Sequence, residues 1–430
     1  MQKVRVLVFP CGSEVGLELH NALKDISFIQ LIGASSAEDH GRFVYQNYVG
    51  EIPFIDEPDF LERFNAMLER ERVDYIYPAM DQVLYELSRK REELEAELLA
   101  PGHDAVSICR NKARTYEHLK GLPFVPRSYQ SPEEVGEFPV IIKPEEGYGA
   151  KGFQIIGTKE ELIRSLGESP VSNVICEYLS GEEYTVDCFT DRHGALRYAS
   201  CRNRSRIRNG ISVSSTLQSS DRYIDEMAEQ ISKRIPMRGA WFFQLKRNGL
   251  GEYKLLEAAT RVAGTMCLER AVGVNLPLLT VFDAMGYDVE VARQFDCAQV
   301  DRALYNTFRI PKRFSEVYVD FDDTITVHGK VNCQLMRYLY QCVNDDVPIR
   351  LVTKHQGSIL EVLERFRISP GLFEEIISVG QTERKADFMS PKSDALFLDD
   401  SFSERREIAR AFGITVLGTD SVEALVDWRQ

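Results

Sequence analysis

Two aspartates stand two residues apart at the end of a short apolar run, Val317-Tyr318-Val319-Asp320-Phe321-Asp322, with Thr324 two positions further on. A strand end presents alternate residues on one side, so Asp320 and Asp322 can reach one small site across the turn at Phe321. Two carboxylates held that close need a cation or a shared proton, because neighbouring like charges cannot both ionise unaided. A magnesium ion with a phosphoryl group meets that need. One aspartate can then attack phosphorus and form an aspartyl-phosphate while the other moves the proton. Two more apolar runs end in polar side chains: Ile349-Arg350-Leu351-Val352 in Thr353, and Ala395-Leu396-Phe397-Leu398 in Asp399-Asp400. Lys385 lies between these runs, with Lys392 as the alternative cation.

A second set of residues points to polyphosphate. Phe138–Pro144 reads as a buried strand carrying Lys143, and Gly147-Tyr148-Gly149-Ala150-Lys151-Gly152 follows. Three glycines in six residues free the backbone to wrap a polyphosphate with its N–H groups inward, and a lysine adds charge. Further strands follow at Val174–Leu179, at Trp241–Leu245, and from Leu255 through Glu257 and Ala259 to Arg261.

The pattern around Asp320 resembles the first motif of the haloacid dehalogenase (HAD) superfamily of phosphohydrolases, and the strands ending in Thr353 and in Asp399-Asp400 agree with its later motifs in order. The resemblance implies Asp320 as nucleophile, Asp322 as general acid/base, and Thr353 and Lys385 as holders of the transferring phosphoryl group. It implies magnesium on Asp320, on the backbone carbonyl of Asp322, and on Asp399 or Asp400. The intervals between these motifs leave no room for a large cap domain, so an open site is expected.

Residues 1–300 resemble the ATP-grasp superfamily, most closely its carbamoyl-phosphate-synthetase-like branch. Carried over by position, Lys112 and Lys143 contact ATP phosphates and adenine, and the loop bearing Gly147, Gly149, Lys151 and Gly152 closes over the phosphates. Glu177, Tyr178 and Leu179 line the adenine pocket, Glu183 binds the ribose hydroxyls, Gln244 and Glu257 hold magnesium, and Arg261 faces the phosphate in transfer. Such enzymes activate a carboxylate as an acyl phosphate for attack by a nucleophile such as an amine. The family usually carries asparagine where this chain has Ala259, so one oxygen ligand is missing.

Arg202, Arg204, Arg206 and Arg208 alternate. In one strand all four share a face, where they repel unless something anionic meets them. Acidic neighbours would satisfy them, or an anionic substrate would, with Arg206 and Arg208 best placed to bind it.

The elements that position these residues read as α/β throughout. Val4–Phe9, Ile29–Ala34 and Asp74–Pro78 are apolar strands. Between them run helices near Leu17–Leu23 and over Asp59–Arg72, and a long charged helix is expected over Asp81–Leu99, stopped by Pro101-Gly102. Strands alternating with helices imply a parallel sheet. The Gly12/Gly16 loop is not a full dinucleotide fingerprint. Three domains are expected: a Rossmann-like pre-ATP-grasp domain over 1–108, an α+β ATP-grasp domain over 109–312, and a capless Rossmann-like HAD domain over 313–430.

At 430 residues, 44% apolar and 27% charged, the composition is that of a globular protein. A net charge of −14 argues against general nucleic-acid binding. Nine cysteines without a CxxC pair read as reduced thiols of a cytoplasmic protein. Neither a signal pattern nor a membrane span is expected. The resulting expectation is a bifunctional enzyme using ATP and magnesium, with small-molecule carboxylate and amine substrates, one of them phosphorylated. A small-molecule kinase opposed by the phosphatase, or a non-catalytic nucleotide-binding regulator, remains open, and a homo-oligomer could supply the missing lid.

Overall fold

The structure is a computed structural model that describes residues 2–147, 152–208, 210–219, 221–291, 293–294, 298–305, 307–308, 310 and 312–430. The chain divides into two compact units, the first running to Leu304 and the second from Tyr305 to Gln430.

The first unit opens with five strands: β1 (Val4–Phe9), β2 (Ile29–Ala34), β3 (Asn47–Val49), β4 (Tyr75–Pro78) and β5 (Glu97–Leu98). They form one parallel sheet in the order β3-β2-β1-β4-β5. β1 is buried at nearly every position, as a strand covered on both faces must be. The helix Glu14–Leu23 starts where the Ser13 hydroxyl accepts the Gly16 N–H at 3.0 Å. The glycines of this loop serve packing. A Cβ on Gly16 would stand 2.4 Å from the Cys11 carbonyl oxygen, and one on Gly12 would strike the Asp39 carboxylate, which already fills the cradle of the turn.

The long helix expected over Asp81–Leu99 is not formed. The helix runs over Asp81–Arg89, a 3₁₀ turn follows at Arg91–Glu93, and Glu97–Leu98 joins the sheet edge beside β4. Arg91 explains the break. Its guanidinium donates to the carbonyls of Leu98, Ala100 and Pro101 at 3.2, 2.6 and 2.7 Å, folding the chain back on itself.

Among the described residues three antiparallel sheets follow. β6 (Ser128–Tyr129), β7 (Val140–Pro144), β8 (Gln154–Ile156) and β9 (Asn173–Glu177) order as β6-β9-β7-β8. β10 (Glu183–Thr190) and β11 (Leu196–Asn203) are followed by β12 (Arg206–Arg208) and β13 (Ile211–Thr216). β14 (Gly239–Arg247), β15 (Tyr253–Ala259) and β16 (Gln299–Asp301) complete the set. Of these, β11-β10-β14-β15 form one sheet and β12-β13-β16 another. Tyr184, Val186 and Cys188 of β10, with Trp241, Phe243 and Leu245 of β14, share a core with Ile224, Met227 and Ile231 of the helix Arg222–Arg234. Strand periodicity then puts Glu183, Thr185 and Gln244 on the opposite face.

The second unit is a five-stranded parallel sheet. β17 (Val317–Val319) lies at its centre. β18 (Thr326–Val327) and β19 (Lys330–Val331) form a small hairpin outside the sheet. β20 (Ile349–Thr353), β21 (Glu375–Ser378), β22 (Leu396–Leu398) and β23 (Thr415–Leu417) complete the order β21-β20-β17-β22-β23. The chain builds outward from β17 on one side and then crosses to the other. Such a reversal opens a crevice at the carboxyl ends of the strands.

Candidate active sites

That crevice gathers the charged residues of the second unit. Asp320 follows β17 directly, and its N–H donates to the Leu398 carbonyl at 2.9 Å, tying it to the end of β22. Asp399 follows β22. Lys385 enters from a 3₁₀ turn and places its Nζ 2.7 Å from Asp320 Oδ1 and 2.6 Å from Asp399 Oδ2, all three side chains being buried. Thr324 Oγ1 lies 3.2 Å from Asp400 Oδ1 and accepts the Asp400 N–H at 3.0 Å. Oxygens of Asp320, Asp399 and Asp400 lie within 4.8 Å of one another. Three hard oxygen donors with net negative charge suit magnesium.

Burial pushes the Asp320 carboxyl up to about 6, with Lys385 pulling it down and Asp399 adding to the rise. Burial raises Asp399 too, against the same lysine. Burial works against the Lys385 charge, but the two carboxylates outweigh it and hold the ammonium above its ordinary range.

Of the two candidate lysines, Lys385 reaches this cluster. The Lys392 N–H bonds Glu316 at the opposite, amino end of β17. Thr353 is buried at the end of β20, and its hydroxyl accepts the His355 N–H at 3.1 Å. The Asp322 carboxylate is not part of the Asp320–Asp399–Asp400 group. It is half exposed and pairs with His355 Nδ1 at 2.8 Å. Sequence reasoning passed over His355, although it stands two residues after Thr353.

In the first unit, Gln244 of β14 sits directly opposite Glu257 of β15. Lys112 Nζ lies 3.8 Å from the Glu257 carboxylate and 3.3 Å from the Gly147 carbonyl oxygen, so it joins the glycine-rich loop to the strand pair. Lys143 is buried on β7 and donates to Tyr116 Oη at 2.7 Å and to the Leu256 carbonyl at 3.1 Å. Burial lowers its pKa. Glu183 is held by Lys246 at 3.1 Å and Arg204 at 3.4 Å. Glu177 accepts the Arg127 N–H at 2.8 Å, beside partly exposed Tyr178 and buried Leu179. Gly147 and Gly152 have positive φ, +142° and +75°, as a backbone bent round a ligand needs. Gly149 and Lys151 lie outside the described residues. Gln244 and Glu257 offer oxygen donors that suit magnesium, whereas Ala259 at the end of β15 has none to add.

Arg261 forks onto Asp81 with contacts of 2.7 and 2.8 Å and lies over the Phe242 ring at 5.4 Å. Sequence reasoning missed Asp81, because only the fold brings it to Arg261.

The common face of four arginines is not formed. The strand breaks between β11 and β12, and carboxylates meet three of the cations. Arg202 is buried on Asp187 at 2.5 and 3.2 Å, Arg204 meets Glu183, and Arg206 meets Asp301 at 2.5 Å. Arg208 is exposed on β12. Of the two readings, acidic neighbours account for Arg202, Arg204 and Arg206.

Residues 169–303 match the family model described as ATP-grasp in the biosynthetic pathway with Ter operon. Over 82 residues the chain is 33% identical to the D-alanine--D-alanine ligase of Fusobacterium nucleatum subsp. nucleatum, a match covering 19% of this chain and 28% of that ligase. The N5-carboxyaminoimidazole synthetase of Staphylococcus aureus, complexed with ADP, superimposes with a TM-score of 0.57 at 15% identity, covering 71% of this chain and 83% of the other. The biotin carboxylase domain of the Hydrogenobacter thermophilus 2-oxoglutarate carboxylase, in complex with MgADP, ADP and bicarbonate, gives a TM-score of 0.56 at 18% identity over 68% of this chain and 72% of that one. The family match thus covers a segment at residues 169–303, and the solved structures share the fold around it. The chain spans little more than a quarter of the curated ligase it matches, and the family match ends at residue 303. Among the described residues no helix is long and apolar enough to cross a membrane.

Proposed function

We propose that the chain is a bifunctional enzyme. The ATP-grasp domain activates a small-molecule carboxylate as an acyl phosphate for attack by an amine, and the second unit is a capless HAD-type phosphatase of phosphomonoesters. The division follows: 1–108 pre-ATP-grasp, 109–312 ATP-grasp, 313–430 phosphatase. The match over residues 169–303 supports the ligase half. The observation that carries the phosphatase half is Lys385 seated between Asp320 and Asp399 at the carboxyl ends of adjacent parallel strands.

In the ligase half, Lys112 and Lys143 neutralise ATP phosphates under the loop from Gly147 to Gly152. Glu177, Tyr178, Leu179 and Glu183 seat the nucleoside, and Arg261 meets the phosphoryl group in transfer. Gln244 and Glu257 would hold magnesium, which supplies charge neutralisation to the polyphosphate. The work is positioning and charge compensation. In the second unit Asp320 attacks phosphorus, Asp322 moves the proton, and Thr353 and Lys385 hold the phosphoryl oxygens. Asp320, Asp399, Asp400 and the Asp322 carbonyl would hold magnesium. Arg206 and Arg208 lie on an exposed strand that an anionic substrate could reach.

The test is phosphate release from p-nitrophenyl phosphate and a panel of phosphorylated metabolites, wild type beside Asp320→Asn, with ADP formation followed against amino-acid and sugar-acid pools. Monoester hydrolysis lost in the variant supports the phosphatase, and amide product formed with ADP supports the ligase. Two observations favour a second reading, nucleotide binding without turnover: the missing oxygen at Ala259 and the capture of Arg261 by Asp81. That reading predicts ATP binding with no ADP from any acceptor.

A further inference from the structure

Resting on the phosphatase reading, we infer that His355 is a positioning residue that fixes the Asp322 carboxyl for proton delivery to the leaving group of the phosphomonoester. After β20 ends at Thr353, the chain turns so that the His355 ring faces Asp322. Its Nδ1 lies 2.8 Å from one carboxylate oxygen and 3.0 Å from the other. With Nδ1–H as donor, one Asp322 oxygen accepts this bond while the other carries the proton to be delivered.

Two contacts hold the imidazole in place. The Phe321 ring meets it edge-on, with centroids 5.7 Å apart and planes at 76°. The His355 main-chain N–H donates to Thr353 Oγ1 at 3.1 Å, which fixes the backbone that carries the ring. Phe321 is the residue between the two aspartates, so the ring that supports His355 belongs to the turn that separates nucleophile from acid. Asp322 keeps 53% side-chain exposure, whereas His355 keeps 18%. Packing alone does not select a rotamer for a carboxylate that exposed, and its terminal torsion is intrinsically broad. The hydrogen bond from His355 restricts that torsion.

The chemistry shows where this matters. An oxygen of Asp320 bonds phosphorus as the bond from phosphorus to the ester oxygen breaks. The electron pair stays on the ester oxygen, which takes the proton of Asp322. Water then bonds phosphorus, its proton returns to Asp322, and the bond from phosphorus to Asp320 breaks, releasing inorganic phosphate. His355 keeps its own proton throughout. An alkoxide is a poor leaving group and needs that proton, whereas p-nitrophenolate departs without it.

The experiment compares full-length wild type, His355→Ala and His355→Gln on p-nitrophenyl phosphate and on the best alkyl phosphomonoester of a panel. We expect His355→Ala to lose about tenfold or more in kcat/KM on the alkyl ester, with a much smaller loss on the nitrophenyl ester, because kcat/KM reads only the steps up to the aspartyl-phosphate and leaves out the hydrolysis that both esters share. The glutamine amide can still donate to Asp322, so His355→Gln should recover most of the difference. Both esters are assayed on one preparation, so partial misfolding cancels from their ratio. Equal losses of kcat/KM on both esters would overturn the inference. Asp320→Asn separates the two ideas. If that variant is inactive while His355→Ala keeps the wild-type ratio, this inference alone fails. If Asp320→Asn retains activity, or wild type hydrolyses neither ester, the phosphatase reading falls and this inference with it.

Discussion

With Lys385 held 2.7 Å from Asp320 and 2.6 Å from Asp399, one cation and two carboxylates share a volume almost closed to water. Removing the cation leaves like charges facing each other in a low dielectric. Lys385→Met should therefore abolish phosphate release and lower stability by about 3 kcal/mol. Magnesium could then take over the neutralisation among Asp320, Asp399 and Asp400. Thermal melts with and without magnesium should show a larger stabilisation of the variant than of wild type. An equal response would count against a cation site there.

Two elements carry their own consequences. Gly152, with φ +75°, sits where an added Cβ would stand 2.8 Å from Pro144 Cγ. Gly152→Ala should strain the end of the loop by about 1 kcal/mol and raise the KM for ATP about fivefold, with kcat little changed. Steady-state kinetics of ADP formation would reveal it. In the helix Glu14–Leu23, His20 is buried with its ring 4.7 Å from that of Tyr45, and burial lowers its pKa to about 4. The unfolded chain titrates His20 near its ordinary value of about 6.5 and so takes the proton first. The stability contributed by neutral His20 is thus complete above pH ~6.5 and is lost as pH falls towards ~4, to a total of about 3 kcal/mol. Denaturant midpoints measured from pH ~7.5 down to ~4 should fall less steeply for His20→Gln than for wild type.

For the molecule as a whole, the proposal joins an ATP-dependent ligation to removal of a phosphate from one metabolite. Asp320→Asn should leave ADP formation intact while total phosphate falls to one per ADP, whereas wild type with the right substrate should exceed that ratio. Identical ratios with every acceptor would separate the two activities. Much of the arrangement was legible in the sequence. Apolar runs ending in Asp320, Thr353 and Asp399 announced strands with polar side chains at their tips, because a buried parallel strand is a continuous apolar run and turns polar where it leaves the core. The alternation of residues in β14 and β15 likewise came from local rules of period. Local rules failed where distant partners decided. The charged stretch after Arg89 reads as helix, but Arg91 found three carbonyls and Leu98 found a sheet edge. The arginine alternation reads as one face, but Asp187, Glu183 and Asp301 divided it. Asp81 meets Arg261, and His355 meets Asp322, across long stretches of chain. Which segments become strands follows from neighbours a few residues apart, so it could be read along the chain. Which charges pair was settled by folding, because pairing depends on which strand ends the sheet order places side by side.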